Sequence, residues 1–264
     1  MIRIISEDVT LIAKRDLHNN YYSVALGPFS RAKDCRPGQF VHVQMPNGGV
    51  LFRRAFSVAS VDPKRHAIEI IFRVFGRGTR ALGKLKKGDS INILGPLGVP
   101  FAQPGKKEIA VMVAGGIGFP PLLFHAESLV KSGFNPKRIF FYYGGRGSAD
   151  IIERPRIKKL GVTFVPATQD GSLGQKGLIT KPLDSFLAAN AGSALRIYGC
   201  GPEGMLKAVN ELAQERRVAG QLSLEAPMPC GVGICLGCVV PLTNGGYARV
   251  CYDGPVFNIG EVAL

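Results

Sequence analysis

The sequence predicts a multidomain protein: an antiparallel β-barrel, then an α/β domain built on a parallel sheet, then a small cysteine-bearing domain at the C-terminus. Three observations predict it. Short apolar or alternating runs separated by turn clusters fill residues 1–102, and strand–helix alternation takes over in residues 103–222. In residues 223–264 helical periodicity disappears and four of the six cysteines crowd together.

The strands expected in the first segment are Tyr22–Leu26, Gln39–Gln44, Ala55–Ser60, Ala67–Val74 and Ser90–Leu94. The clusters Arg36-Pro37-Gly38, Pro46-Asn47-Gly48-Gly49, Asp62-Pro63 and Lys87-Gly88-Asp89 separate them, a spacing that suits a small barrel. Gly95-Pro96-Leu97-Gly98, followed by Pro104-Gly105, reads as the exit linker. Apolar runs at Ile109–Ala114, Arg138–Tyr143, Val162–Ala167 and Leu195–Tyr198 then read as parallel strands buried on both faces. Helices are expected from the turn after Ala114 to about Ser132, and from Glu203 to Arg217.

Composition narrows the function classes. A chain that is 46% hydrophobic and 20% charged can bury a core, which excludes disorder. Ile109–His125 is apolar, but its glycines and prolines break it too often for a spanning helix. The N-terminal residues mix acids with bases and lack the apolar core of a signal peptide, so a soluble, cytoplasmic protein is expected. The formal net charge of +14 raises nucleic-acid binding as a possibility. The basic residues, however, come in ones, twos and threes rather than in a tract interleaved with aromatics, so a solvated basic surface is expected and no nucleic acid. Residues 223–264 differ in kind, with one basic residue against three acidic ones.

Cys230, Cys235, Cys238 and Cys251 form C-x4-C-x2-C-x12-C, the plant-type [2Fe–2S] spacing, in which three thiolates come from one loop and a fourth from a later strand. Gly231, Gly233 and Gly237 permit unusual dihedrals and close backbone approach to sulfur. Val239-Val240 and Tyr247–Val250, joined through Asn244-Gly245-Gly246, form a hairpin that returns Cys251 to the loop. Zinc sites use paired CxxC or Cys/His knuckles, which this segment lacks, and disulfides do not suit a cytosolic chain. Cys35 has no partner in the pattern.

Two further motifs point to anionic cofactors. Arg54-Ala55-Phe56-Ser57 matches the R-x-[YF]-S element of flavin-binding barrels, with Arg54 for a pyrophosphate, Phe56 for the isoalloxazine ring and Ser57 for the flavin edge. Ile71-Phe72-Arg73 and Gly76-Arg77-Gly78-Thr79 follow. Gly78 and Thr79 are expected to open a helix over Arg80–Lys84 and to offer N–H groups and a hydroxyl to phosphate, so FAD is the predicted ligand. Gly115-Gly116-Ile117-Gly118-Phe119-Pro120 follows an apolar strand and opens a helix, a variant of the dinucleotide site in which Gly116 and Gly118 admit a pyrophosphate. Cys200, Gly201 and Pro202 close the last strand; Cys200 is read either as facing a nicotinamide ring or as a structural thiol. Arg146, with Ser148 and Arg154, stands where it would reach a 2′-phosphate.

In this order the elements resemble the iron–sulfur flavoprotein electron-transfer subunit of class 1B dihydroorotate dehydrogenase, within the ferredoxin-reductase-like superfamily. The most specific part is the end: Glu225-Ala226-Pro227-Met228-Pro229 ahead of the cysteine loop, and Cys251-Tyr252-Asp253-Gly254-Pro255-Val256-Phe257 after it. Ala55 stands where many members carry proline. The resemblance implies FAD on Arg54–Ser57, Ile71–Arg73 and Gly78-Thr79, NAD rather than NADP, and a cluster on the four cysteines. It also implies a partner: an FMN-bearing dihydroorotate dehydrogenase catalytic subunit, in a heterotetramer, whose electrons pass through [2Fe–2S] and FAD to NAD+ in pyrimidine biosynthesis. No catalytic acid or base is expected in this chain, whose four histidines are scattered. Met228, Val232, Ile234, Leu236 and Phe257 are the apolar residues offered for docking. Small flavin/iron–sulfur subunits of other NAD(P)H-dependent oxidoreductases, of the NADPH–ferredoxin or sulfide type, share the same parts. An oxygenase reductase component and a non-enzymatic iron–sulfur protein remain as alternatives.

Overall fold

The computed structural model describes residues 4–46 and 50–264, so the last three residues of the turn expected at Pro46–Gly49 lie outside the described residues. The first segment closes into a six-stranded barrel of β1 (Ile5–Asp16), β2 (Tyr21–Gly27), β3 (Phe40–Val43), β4 (Arg54–Asp62), β5 (Ala67–Arg73) and β6 (Ser90–Leu97). All pairings are antiparallel, in the closed order β1-β2-β5-β4-β3-β6, with helix α1 (Arg77–Lys84) between β5 and β6. Val24, Leu26, Val41, Val43, Val58, Ile68 and Ile70 fill its interior.

Two expectations need correction here. The longest strand, β1, was not foreseen: its charged and polar residues alternate with Val9 and Leu11, which reach the core at 2% and 0% exposure. The expected linker at Gly95–Gly98 is mostly strand, since β6 runs through Leu97; the turn comes at Gly98, whose φ of +79° suits glycine.

The second segment holds β7 (Ile109–Gly115), α2 (Phe119–Lys131), β8 (Ile139–Gly145), α3 (Arg154–Lys159), β9 (Thr163–Thr168), β10 (Gln175–Lys176), α4 (Thr180–Ala189), β11 (Leu195–Cys200), α5 (Glu203–Glu215) and β12 (Ala219–Ser223). The parallel order is β10-β9-β8-β7-β11-β12, so the strand order reverses at β7 and leaves a crevice at the carboxyl ends of β7 and β11. The buried runs of β7 and β8 are the ones read from the sequence. Pieces as short as β10 and β12 carry too little pattern to be read.

The cysteine segment is not a detached unit. It contains the hairpin β13 (Val239–Pro241) and β14 (Tyr247–Arg249), but its last strand, β15 (Val256–Asn258), adds antiparallel to β12 and completes the seven-stranded sheet. Phe257 on that strand is 3% exposed, which removes it from the apolar residues expected at the surface. Cys238, Val250 and Cys251 share one core with Phe40 and Leu97 of the barrel and Ile197 and Leu222 of the sheet. Among the described residues no helix is long and apolar enough to cross a membrane.

Candidate functional site

A cleft of about 1060 Å³ opens where the barrel meets the other two segments. Arg54, Ala55, Phe56 and Ser57 line it from β4, Ile71, Phe72 and Arg73 from β5, and Gly78 and Thr79 from α1, so three motifs separated in sequence share one wall. The antiparallel pairing of β4 with β5 brings the motif-bearing ends together. The Arg54 guanidinium donates only to the carbonyls of Phe52 (2.9 Å) and Arg53 (3.3 Å) among the described residues. A Cβ on Gly78 would lie 3.1 Å from Met45 Sδ and 3.8 Å from Arg54 Cγ, so the first turn of α1 stands beside that arginine. A helix N-terminus and a guanidinium with no acidic partner among the described residues, flanking one volume, fit a diphosphate.

Two details differ from the motif reading. The helix opens at Arg77, not Arg80, and the Thr79 hydroxyl caps it by accepting from the N–H groups of Phe75 (3.1 Å) and Gly76 (3.2 Å). Phe56 is half-buried and meets Phe72 edge-on at 5.7 Å between ring centres. The most exposed aromatic ring in the cleft is that of Phe75, 83% exposed, and the exposed Phe52 and Leu51 line the same cleft. An apolar ring exposed in a turn ahead of a helix was the available signal for Phe75.

A second cleft, about 860 Å³, lies at the carboxyl ends of the parallel strands. Gly115, Gly116 and Gly118 line it after β7, Gly144, Gly145 and Arg146 after β8, and Gly201 and Pro202 after β11. Gly116 has φ +50° and open space where a side chain would stand, while a Cβ on Gly118 would collide with the carbonyl of Cys200. The Tyr143 hydroxyl pins the loop by donating to Gly116 O at 3.0 Å. Arg146 is held by Asp150 at 3.3 Å.

The clefts share walls. Arg73, Ile117 and Glu225 line both, and Arg73 stacks over the Tyr21 ring and faces Asp150 at 3.7 Å. Cys200, 3% exposed, lines the first cleft rather than the second; burial and then Glu225 push its thiol well above the ordinary range. In the sequence Glu225 stands only as part of the C-terminal signature. Its position between the clefts, where desolvation raises its carboxyl pKa, is a product of tertiary structure.

The cysteine loop begins where the first cleft ends, since Pro227, Met228 and Pro229 line that cleft and Cys230 follows. The thiols of Cys230 and Cys235 interact, as do those of Cys238 and Cys251, and Cys230 also acts electrostatically on Cys251, so the four lie in one neighbourhood. Two thiolates for each of two irons is the requirement of a [2Fe–2S] cluster. Backbone N–H groups serve sulfur: Gly233 donates to Cys251 Sγ at 3.2 Å, Gly237 to Cys235 Sγ at 3.4 Å, and Cys251 to Cys238 Sγ at 3.4 Å. At Cys230 burial raises the thiol, but N–H donors from Cys235, Val232 and Ile234 outweigh it and bring it down to about 6. This donor set suits thiolate ligands. Ile234 and Leu236 stand at the surface, 80% and 57% exposed, while Met228 and Val232 pack against the core beneath.

Three family models match successive parts of the chain. Residues 8–101 match the oxidoreductase FAD-binding domain, 112–211 the oxidoreductase NAD-binding domain, and 225–263 the iron-sulfur cluster binding domain of dihydroorotate dehydrogenase B. The dihydroorotate dehydrogenase B (NAD(+)) electron transfer subunit of a Geobacillus species is 37% identical over 273 residues, covering 98% of each chain. That of Shouchella clausii is 35% identical over 262 residues and 97% of each chain. The chain belongs to the dihydroorotate dehydrogenase B electron transfer subunit family.

Family membership makes it an oxidoreductase component with FAD, NAD and an iron–sulfur cluster as cofactors. Solved structures place the electron transfer subunit family in a wider fold group. An NADH-dependent reduced ferredoxin-NADP oxidoreductase, solved in work on flavin-based electron bifurcation, is 28% identical with a TM-score of 0.85, covering 97% of this chain and 89% of that one. A cytochrome P450 reductase from Amycolatopsis is 25% identical with a TM-score of 0.68, covering 82% and 68%.

Proposed function

We propose that this chain is the cytoplasmic electron transfer subunit that takes electrons from the FMN of a dihydroorotate dehydrogenase catalytic subunit and delivers them, through its cluster and FAD, to NAD+. One observation carries the reading: the three sites are contiguous. The nucleotide cleft shares Arg73, Ile117 and Glu225 with the flavin cleft, and Pro229 of the flavin cleft adjoins Cys230. The cysteine loop in turn reaches the surface at Ile234 and Leu236.

In this reading Arg54 and the α1 N-terminus hold the FAD diphosphate, and Phe75 covers a face of the ring system. The glycine loop after β7 and Gly201-Pro202 after β11 hold the NAD diphosphate. FAD, when bound, supplies the exchange between one-electron and two-electron chemistry that a cluster and a nicotinamide require. The residues contribute distance, orientation and exclusion of water rather than acid–base groups. NAD is favoured over NADP because the similar electron transfer subunits are those of NAD(+) enzymes. The exposed Ile234 and Leu236, with Tyr252 nearby on a segment of opposite charge balance to the rest of the chain, form the docking face for the catalytic subunit in a heterotetramer.

Co-expression with a class 1B catalytic subunit tests this. A stable heteromer that reduces NAD+ with dihydroorotate is expected, and Ile234→Glu should dissociate it without loss of the cluster. Failure to bind any such subunit, with flavin and cluster present, would instead favour a partner of the ferredoxin-oxidoreductase kind, the reading that the ferredoxin-NADP oxidoreductase likeness supports.

A further inference from the structure

One polar side chain between the barrel and the cysteine loop has no partner. His42 is 0% exposed, and neither ring nitrogen has a hydrogen-bond partner among the described residues. Leaving such a group unpaired in a protein interior is costly, and native structures rarely do so. The strand alternation explains where it points. Val41 and Val43 of β3 fill the barrel, which turns Phe40 and His42 outward, and Phe40 joins the core that holds Cys238 and Cys251.

His42 meets the cysteine loop at Gly231. A Cβ built on Gly231 would lie 2.6 Å from His42 Cε1, 2.7 Å from Nδ1 and 3.0 Å from Nε2, so the nitrogen-bearing edge of the ring faces the backbone next to Cys230. Gly231 also has φ +71° and is glycine on both counts. His42 is paired across the β3–β4 ladder with Ala55 of the flavin motif, yet it is not among the residues lining the flavin cleft. The ring therefore stands on the same outer face of the barrel as Ala55, beside the flavin cleft, and meets the cluster loop at Gly231.

We propose that His42 donates a ring N–H hydrogen bond to a sulfur of the bound cluster and thereby raises the cluster's reduction potential at its boundary with FAD. The inference rests on the four cysteines holding the cluster. An imidazole carries at least one ring N–H in either protonation state, and neither His42 nitrogen is engaged by another described residue, so the ring has a donor to place. A sulfur acceptor gains negative charge on cluster reduction, so a donor favours the reduced form, and hydrogen bonds to sulfur are among the determinants of cluster potential.

The test uses the full chain, labelled with ¹⁵N only in histidine and reduced, with pulsed EPR of the cluster. Hyperfine coupling to one imidazole nitrogen is expected. His18 and His66 are exposed, and His125 is buried against Phe101 and Tyr198, so the coupled residue would be His42. His42→Phe should abolish the coupling. It should also shift the cluster's one-electron equilibrium about tenfold toward the oxidised form, or about 59 mV, without moving the flavin potential. His42→Gln, which retains an N–H donor, should recover part of the shift. A normal cluster spectrum in the labelled wild type without histidine coupling overturns the proposal even if His42→Phe does not fold. Absence of any cluster signal refutes the four-cysteine ligand set, and the proposal with it.

Discussion

Arg156 on α3 donates to Glu69 on β5 at 2.7 Å and so ties the sheet domain to the barrel. The same guanidinium grips Glu127 of α2 at 2.6 and 2.9 Å, while Glu69 also accepts from Ser23, Ser60 and Arg15. Arg73, four residues further along β5, lines both clefts and faces Asp150 at 3.7 Å, a second polar contact between the barrel and the sheet domain.

Glu69→Gln is expected to destabilise the protein by about 3 kcal/mol at pH 7, the order found when one member of a largely buried pair is removed. Burial raises the Glu69 pKa, but Arg156, Ser23 and Ser60 outweigh it and hold the carboxyl at about 2. The stabilisation is thus complete above the ordinary value near 4.5 and is lost as pH falls toward about 2. Denaturant unfolding of both proteins between pH 7 and pH 3 should show the gap constant above about pH 5 and narrowing below it. A gap that widens in acid would refute the assignment.

Arg54→Ala should weaken FAD retention by roughly tenfold to a hundredfold, the equivalent of about 1.5–3 kcal/mol for one charge-assisted contact. Exposed Lys64→Ala serves as the control. Flavin content after gel filtration separates the two, and equal retention would remove Arg54 from the site.

Gly118→Ala should cost at least the upper end of the ~1–3 kcal/mol typical of overpacking, because the obstacle is the Cys200 carbonyl, which cannot rotate away. Gly116→Ala meets open space and bears only the left-handed backbone cost of about 1–2 kcal/mol. Thermal melts should rank Gly118→Ala as the less stable, and both should raise the KM for NAD+. The reverse ranking would count against the close approach of α2 to β11.

Cys251→Ser should remove the cluster's visible absorption and iron while FAD stays bound. Cys251 is 2% exposed and similar in size to its replacement, and the motifs assigned to FAD belong to the barrel. Loss of both cofactors together would show that β15, together with Pro255, which lines the flavin cleft and bridges to Val99, couples the cluster segment to that cleft more tightly than this.

The barrel, the parallel sheet and the cysteine site were legible because each is written in local pattern. Alternation and turn clusters mark β2 to β6, double-sided burial marks β7, β8 and β11, and four cysteines at fixed spacing mark the ligands. What stayed hidden depends on residues far apart in the chain. β1 was masked by the charges on its outer face, and β12 and β15 were too short to announce themselves until they paired with each other on the sheet edge. Phe75, Glu225 and His42 carry no motif of their own; closure of the barrel and docking of the C-terminal segment decide what each one faces. The sequence by itself determined which cofactor chemistries the chain can hold, because ligand types and glycine positions are local properties. Only the tertiary structure decided that the clefts share walls and that the cluster loop lies against β3, because burial and adjacency arise when distant strands close.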